Sequence, residues 1–313
     1  MTAVVLQAAA PRGGRAQGLR STMGQLVRRP EGLIGVVILT IFFVLAVVPV
    51  LFVGPLQTAV TATGSRLEAP SAAHIFGTDE LGRDMLNLTV HGARISLSIG
   101  LLATFVTVAL GVVVGIVAGF VGGFADSGLM RVTDFFLVIP TFVLALILTP
   151  IIQDVVGSAA TEVFGIRMSL VVIIFVIGIT SWSSTARIIR AQTLSLRERA
   201  FVDRARVVGS SNGHIMRRHI LPNVINLIVA NAVLTFAGAV LLETTLSFVG
   251  LGDPFQPSWG QTLEAARAVG APGLGDWWYF GPPGVCIILV VLAFTLVGNA
   301  LDDILNPKRR ERR

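Results

Sequence analysis

Few residues in this chain are placed to do chemistry. The 313 residues include four histidines, His74, His91, His214 and His219, and a single cysteine, Cys286. The histidines are scattered without metal-ligand spacing. One cysteine forms neither an intrachain disulfide nor a thiolate metal site, and beside an apolar run it reads as a small buried hydrophobe. The phosphate-cradling pattern GxxxxGK[ST] is absent, so the chain is not expected to hydrolyse ATP itself. Asp79, Glu80, Arg83 and Asp84 stand together in GTDELGRD. Paired carboxylates can serve acid–base catalysis, but with Gly82 and Arg83 between them these read more simply as a capped, salt-bridged turn. Glu243 is the one ionisable residue in an otherwise apolar stretch. Such residues are costly in a membrane and face a cavity or a partner. Glu243 is therefore a candidate pore or gate residue, with a structural hydrogen bond to an adjacent helix as the plainer alternative. No catalytic residue and no bound metal or cofactor is expected.

The most informative polar segment is ARIIRAQTLSLRERAFVDRARVVGSSNGHIMRRHILPN, Ala186 to Asn223. Leu194, Phe201, Ala205 and Val208 recur at three- to four-residue steps, with arginines and Asp203 between them. That pattern predicts a short amphipathic helix with Arg199 and Asp203 at i,i+4. Gly209 stops it, because glycine takes the left-handed C-terminal conformation at little cost. Ser210, Ser211 or Asn212 caps a second short helix running to His219 or Ile220, and Pro222 breaks that helix before the chain turns away. Spacing alone leaves two uses open: an interfacial helix on anionic lipid, or a docking surface for a soluble partner.

These residues have to be positioned by a membrane scaffold. Only 13% of the chain is charged and 53% is hydrophobic, against about 25% charged in soluble domains. A bilayer core needs about 20 apolar residues in helical form. Six stretches qualify or nearly do: Leu33 to Phe52, Ile95 to Ala125, Phe135 to Ile152, Ser169 to Ala186, Asn223 to Leu251 and Val285 to Leu301. Pro140 predicts a kink in the third. In the second, Ala103, Thr107, Gly111, Gly115 and Gly119 recur every four residues, a small-residue face for close helix packing. Basic residues concentrate in three segments: the tail with Arg12, Arg15, Arg20, Arg28 and Arg29, the arginines from Arg187 to Arg218, and Lys308 to Arg313. Gly54 to Arg94 and Gly252 to Gly284 are poorer in them. An even number of spans puts the basic segments on one side, and the positive-inside rule makes that side cytoplasmic. The net charge of +6 thus reports orientation rather than nucleic-acid binding. Trp259, Trp277, Trp278 and Tyr279 in the second external segment fit an interfacial aromatic anchor. The N-terminus lacks the charge order of a cleaved signal.

VDRARVVGSSNGHIMRRHILPN resembles the cytoplasmic EAA loop of ATP-binding-cassette importer permeases: Glu-Ala-Ala, three residues, Gly, nine residues, Ile-x-Leu-Pro. Asp203, Arg204 and Ala205 take the first three places, Gly209 the fourth, and Leu221 and Pro222 the end. His219 stands at the isoleucine place, as in the peptide-permease branch. Arg204 departs from the pattern by adding bulk and charge. FGTDELGRDMLNLTVHGARISLSIG (Phe76 to Gly100), DFFLVIPTFVLALIL, LLETTLSFVGLG and PSWGQTLEAAR are similar, in order, to segments of dipeptide, oligopeptide and nickel permeases of the second-permease type. The residues before Phe76 add a generic span and tail.

The resemblance implies an all-α integral membrane fold in the bacterial inner membrane. It has six transmembrane helices, cytoplasmic termini and a cytoplasmic coupling loop. The expected divisions are a basic tail at 1–30, a first helix and external loop at 31–94, a five-helix core at 95–305 with coupling loop 191–223, and a basic tail at 306–313. It implies a pore subunit of an ATP-driven importer for peptides, or for nickel or another small solute. It also implies a sister permease, two ATPase subunits carrying ATP and Mg, and an extracytoplasmic binding protein. Asp203, Arg204, Ala205, Gly209, His219, Leu221 and Pro222 would meet the ATPase; Asp79, Gly82, Arg83 and Asp84 would shape the external vestibule. The rivals, an ion-coupled secondary transporter and a membrane-embedded enzyme, would need a mid-membrane ion site beyond Glu243 or converging catalytic groups.

Overall fold

The computed structural model describes residues 24–156, 162–163 and 166–305. The basic tails at 1–23 and 306–313 lie outside the described residues. The chain is a bundle of apolar helices: α1 (Pro30–Val47), α2 (Pro49–Val53), α3 (Met85–Val121), α4 (Gly123–Val138), α5 (Thr141–Val156), α6 (Met168–Arg197), α7 (Ala200–Val207), α8 (Asn212–Ile215), α9 (Leu221–Leu246), α10 (Trp259–Ala268), α11 (Ala271–Leu274) and α12 (Trp277–Leu305). A two-residue hairpin, β1 (Glu162–Val163) and β2 (Ile166–Arg167), precedes α6. Five helices are long and apolar enough to cross a membrane, six if the bent pair α4–α5 counts as one span.

That pair corrects one expectation. Phe135 to Ile152 is not a single kinked helix: α4 and α5 meet at 92°. Ile139, with φ −82° and ψ 126°, is extended, as a residue before proline prefers, so the helix ends at Pro140 rather than bending through it. Arg190 holds α4 from the other side, placing Nε and Nη2 at 2.5 and 2.6 Å from the Asp126 oxygens, and Arg187 reaches Asp134 at 2.5 Å.

α6 is the centre of the bundle. Ile173, Val176, Ile177 and Ile189 along it are fully buried. The small-residue face of α3 lies against it. A Cβ on Gly111 would come 2.6 Å from the Thr185 Cβ, one on Gly115 2.6 Å from the Ala186 carbonyl oxygen, and one on Gly119 2.8 Å from the Thr193 Cβ. Backbones this close leave no room for side chains, which is how apolar helices associate where the surrounding lipid is as apolar as they are. α9 packs on α3 and α12, and α12 on α1. Arg29 and Asp303, 3.1 Å apart, tie the ends of α1 and α12 together.

Candidate functional site

The coupling segment is built as a bent arm clamped to the bundle. α6 ends at Arg197, Arg199 is the N-cap of α7, and α7 ends in a Schellman turn. Gly209 sits at φ +86°, its N–H donates to the Arg206 carbonyl (2.9 Å), and the Ser210 N–H donates to the Ala205 carbonyl (3.0 Å). Ser211 then caps α8, its Oγ accepting from the His214 N–H. One face of this arm is core: Val202, Ile215, Ile220 and Val224 are fully buried with Ile116, Phe120 and Ile189. The opposite face points away from the bundle, with Val207 and Val208 88% and 84% exposed and Asp203, Arg204, Arg206 and Gly209 exposed around them.

This placement changes several expectations. Ala205 is buried in the core rather than offered to a partner. Val208 does not share its face: it is the C-cap of α7, where helical geometry ends. The apolar stripe runs through Val202 and Ala205. Asp203 pairs with Arg206 at 3.4 Å, not with Arg199, which precedes the helix. Leu221 is half-buried against the core, and the His219 ring lies 6.3 Å from Phe201 and 6.0 Å from His214. Pro222 breaks nothing. Met216–Ile220 is a π-turn in which the Leu221 N–H donates to the Met216 carbonyl, and Pro222 falls in the first turn of α9, where its missing N–H is tolerated. The helix is continuous from Asn212 to Val249, and Gly250, at φ +94°, leaves helical geometry. Sequence reasoning missed Val207 as an exposed tip residue. Its position two residues before the stop glycine, off the Val202–Ala205 face, was the available signal.

Glu243 is fully buried inside the chain, so among the described residues it lines no open pathway. Ser247 Oγ donates to its Oε1 at 2.8 Å. Its Oε2 is buried without a hydrogen bond, with the Ser258, Ser96 and Thr244 hydroxyls nearby. It thus joins α9 to the contact between α3 and α10, where the Trp259 N–H meets Ser96 Oγ at 3.1 Å.

At the other end of the bundle, GTDELGRD is a tight, internally satisfied turn. Asp79 is fully buried. Its Oδ1 accepts from the Leu81 and Arg83 N–H groups at 2.9 and 2.8 Å, and its Oδ2 takes Arg83 Nε at 2.6 Å. Gly82 sits at φ +77°, and a Cβ there would come 2.3 Å from the Gly64 carbonyl oxygen. Asp84 caps α3 through the Leu86 and Asn87 N–H groups and contacts His74 Nδ1 at 2.9 Å. The carboxylates that could suggest catalysis are all engaged: Asp79 within the turn, Asp84 by the α3 cap and His74, and Glu80 by the Tyr279 hydroxyl. Of the aromatic residues, Trp277 is exposed, but Trp259 and Tyr279 are fully buried. Trp259 donates to the Thr89 carbonyl at 3.0 Å and meets Phe42 edge-on, and Tyr279 donates to Glu80. Those two are pillars of the fold rather than interfacial anchors.

Comparison with known proteins agrees with this architecture. The chain is 37% identical over 242 residues, 77% of its length and 75% of the relative's, to a Brucella suis protein carrying a peptide-permease designation. It is 33% identical over 294 residues, 93% of its length and 90% of the relative's, to the dipeptide transport system permease protein DppC of Alkalihalophilus pseudofirmus. A chain of the MetNI methionine ABC transporter, solved in inward-facing conformations, has the same fold. It superposes with a TM-score of 0.56 and 18% identity over 71% of this chain and 98% of that one. Residues 111–311 match the family described as binding-protein-dependent transport system inner membrane component, and they include α6, the bent arm, α9 and α12. The protein is a multi-pass inner-membrane component of that family.

Proposed function

We propose that the chain is one of two pore-forming subunits of an ATP-driven importer of dipeptides or oligopeptides. The observation that carries this reading is the bent arm. One face of it is locked to the bundle through Val202, Ile215 and Ile220, while the apolar tip at Val207 and Val208 is left bare and ringed by charge. A bare apolar tip on a charged element fits a partner's cleft better than water. The names of the relatives favour a peptide as the solute.

On this reading the arm lies in the cytoplasm with both chain ends, and Gly54 to Arg94 and Gly252 to Gly284 face outward. The division into tails, first helix with external loop, and a five-helix core from residue 95 to 305 is the working division of labour. Two ATPase subunits hold ATP and Mg, and closing them moves the arms of this chain and a sister permease. Solute arrives from an extracytoplasmic binding protein. ATP shifts the pore between its states only through contacts that differ between them, and the arm is where this chain makes such contacts. Asp203, Arg204, Val207, Val208 and Gly209 form the docking face. Ala205, Leu221 and Pro222 fix its attitude from the inside.

The test is reconstitution of the chain with its co-purifying subunits in liposomes. The expected result is peptide uptake that requires ATP and the binding protein. Uptake by this chain alone, or uptake indifferent to ATP, would refute the proposal.

A further inference from the structure

On the face opposite the basic segments, a cavity of about 520 Å³ opens between the start of α3, the β2–α6 junction and the segment after α9. Its walls are mostly apolar, but His91, Arg94 and Arg167 line it, and no Asp or Glu does. This face of the chain is poor in arginine, so their convergence is informative. The other external arginines that have partners are neutralised locally: Arg83 by Asp79 at 2.6 Å and Arg267 by Glu264 at 3.4 Å. Arg94 is exposed, and no ion pair holds it among the described residues. Arg167 lies over the Phe255 ring at 4.7 Å. Its Nε is buried without a hydrogen bond, and its nearest carboxylate, Asp253, is 4.0 Å away. Asp253 is already engaged by the Ser169 hydroxyl at 2.7 Å and the Phe255 N–H at 2.8 Å. His91 spends its Nε2 on the Gly54 carbonyl. The cavity therefore holds two guanidinium groups: Arg94 with no ion pair among the described residues, and Arg167 with an Nε that lacks a hydrogen bond and a carboxylate partner no closer than 4.0 Å.

We propose that this cavity is an oxyanion subsite that receives the carboxylate of the incoming solute, with Arg94 and Arg167 as the binding groups and Phe255 holding the plane of the Arg167 guanidinium. Guanidinium donors match a carboxylate in pairs, and a partly enclosed cationic cleft raises the local concentration of anions. The volume suits a ligand the size of a short peptide. The proposal rests on the transport reading above for the identity of the solute, but not for the charge selectivity of the cavity.

The experiment uses the complete transporter in liposomes, with Cys286→Ser and with Ser98→Cys placing a thiol on the cavity wall. The introduced thiol is labelled with an anionic and with a cationic methanethiosulfonate of similar size. The anionic reagent is expected to be favoured. Arg94→Gln or Arg167→Gln is expected to lower the anionic-to-cationic rate ratio by about tenfold, the change expected when one nearby charge is removed and acts on both reagents, while Arg94→Lys preserves it. A dipeptide is expected to protect the thiol, and the same dipeptide with an amidated C-terminus is not. A ratio unmoved by either Gln substitution, or equal protection by acid and amide, overturns the proposal. Protection by phosphatidylglycerol liposomes in the absence of peptide, with none added by the peptide, assigns the site to a lipid headgroup and also overturns it. Loss of ATP dependence in the same liposomes would sink the transport reading and leave the labelling ratio intact.

Discussion

Val208→Asp separates docking from folding. Val208 is 84% exposed in the isolated chain, so a polar replacement removes almost no buried contact. Surface changes of that kind alter stability by no more than about 0.5 kcal/mol. Seated in a partner's cleft, the same side chain would be buried. Losing a buried valine forfeits about 1.5 kcal/mol, and desolvating a carboxylate in its place adds roughly 2 kcal/mol or more. The sum, about 3.5 kcal/mol, weakens association about 300-fold. Val208→Ala removes two methyl groups and is expected to weaken it by only about tenfold. The assay is co-purification of ATPase subunits with the tagged chain, alongside ATP-dependent uptake and the thermal stability of the chain itself. The expected outcome for Val208→Asp is a chain as stable as the parent that retains little ATPase and transports little. Full ATPase retention with normal uptake would refute the claim that this tip is buried against a motor. A chain destabilised by more than the roughly 1 kcal/mol that a carboxylate at a helix C-terminus costs would refute the claim that the tip is bare.

Four further outcomes follow from the packing. Gly115→Val sets a branched side chain against the Ala186 carbonyl, where a Cβ alone has 2.6 Å; it is expected to destabilise by about 3 kcal/mol, read as a large drop in melting temperature. Trp259→Ala empties a fully buried site and leaves the Thr89 carbonyl without its donor, for an expected loss of about 3–5 kcal/mol by the same measurement. Asp84→Ala removes the cap of α3 and the His74 contact; it should cost about 1–2 kcal/mol, and Asp84→Asn should recover most of it. Glu243→Gln keeps an acceptor for Ser247 without placing a charge in a site where no cation pairs with it among the described residues. It is expected to match the parent in melting and uptake, whereas Glu243→Leu, which leaves buried hydroxyls unpaired, is expected to melt lower by the equivalent of about 1–3 kcal/mol.

What could be seen in the sequence follows from the range of the physics. Apolar length is summed over whole segments, so five of the six spans were visible. The Gly111–Gly115–Gly119 stripe was visible because a period of four fixes a face without reference to the partner. The stop at Gly209 is local and was legible for the same reason. Which face of α7 turns inward was not, because Ile116, Phe120 and Ile189 decide it from far along the chain. The roles of Trp259 and Tyr279 were hidden likewise: both lie in segments that read as loop, and their partners Thr89 and Glu80 belong to another segment. Pro222 misled because proline usually ends a helix, whereas an i→i−5 turn that absorbs it has no residue signature of its own.

That π-turn gives the arm its mechanical meaning. Had Pro222 broken the chain, the tip at Val207 and Val208 would hang from a joint and its displacement would dissipate there. Instead α8 runs without interruption into α9 and on to Val249, about 57 Å of helix, before Gly250 leaves helical geometry at φ +94°. Its arm end is clamped by Ile215, Ile220 and Val224, and its far end by buried Glu243, which lies beside Ser96 of α3 and Ser258 before α10. Beyond Leu251 the chain passes within two residues to Asp253, which lies against Arg167. Force applied to the arm is therefore carried through a stiff element as far as the Gly250 kink, three residues before Asp253. A transporter that must change solute contacts outside when nucleotide changes inside needs such a connection, and α3 and α6 add to it: each lines the cavity, through Arg94 and Leu170, and each packs on the arm, through Ile116 and Ile189.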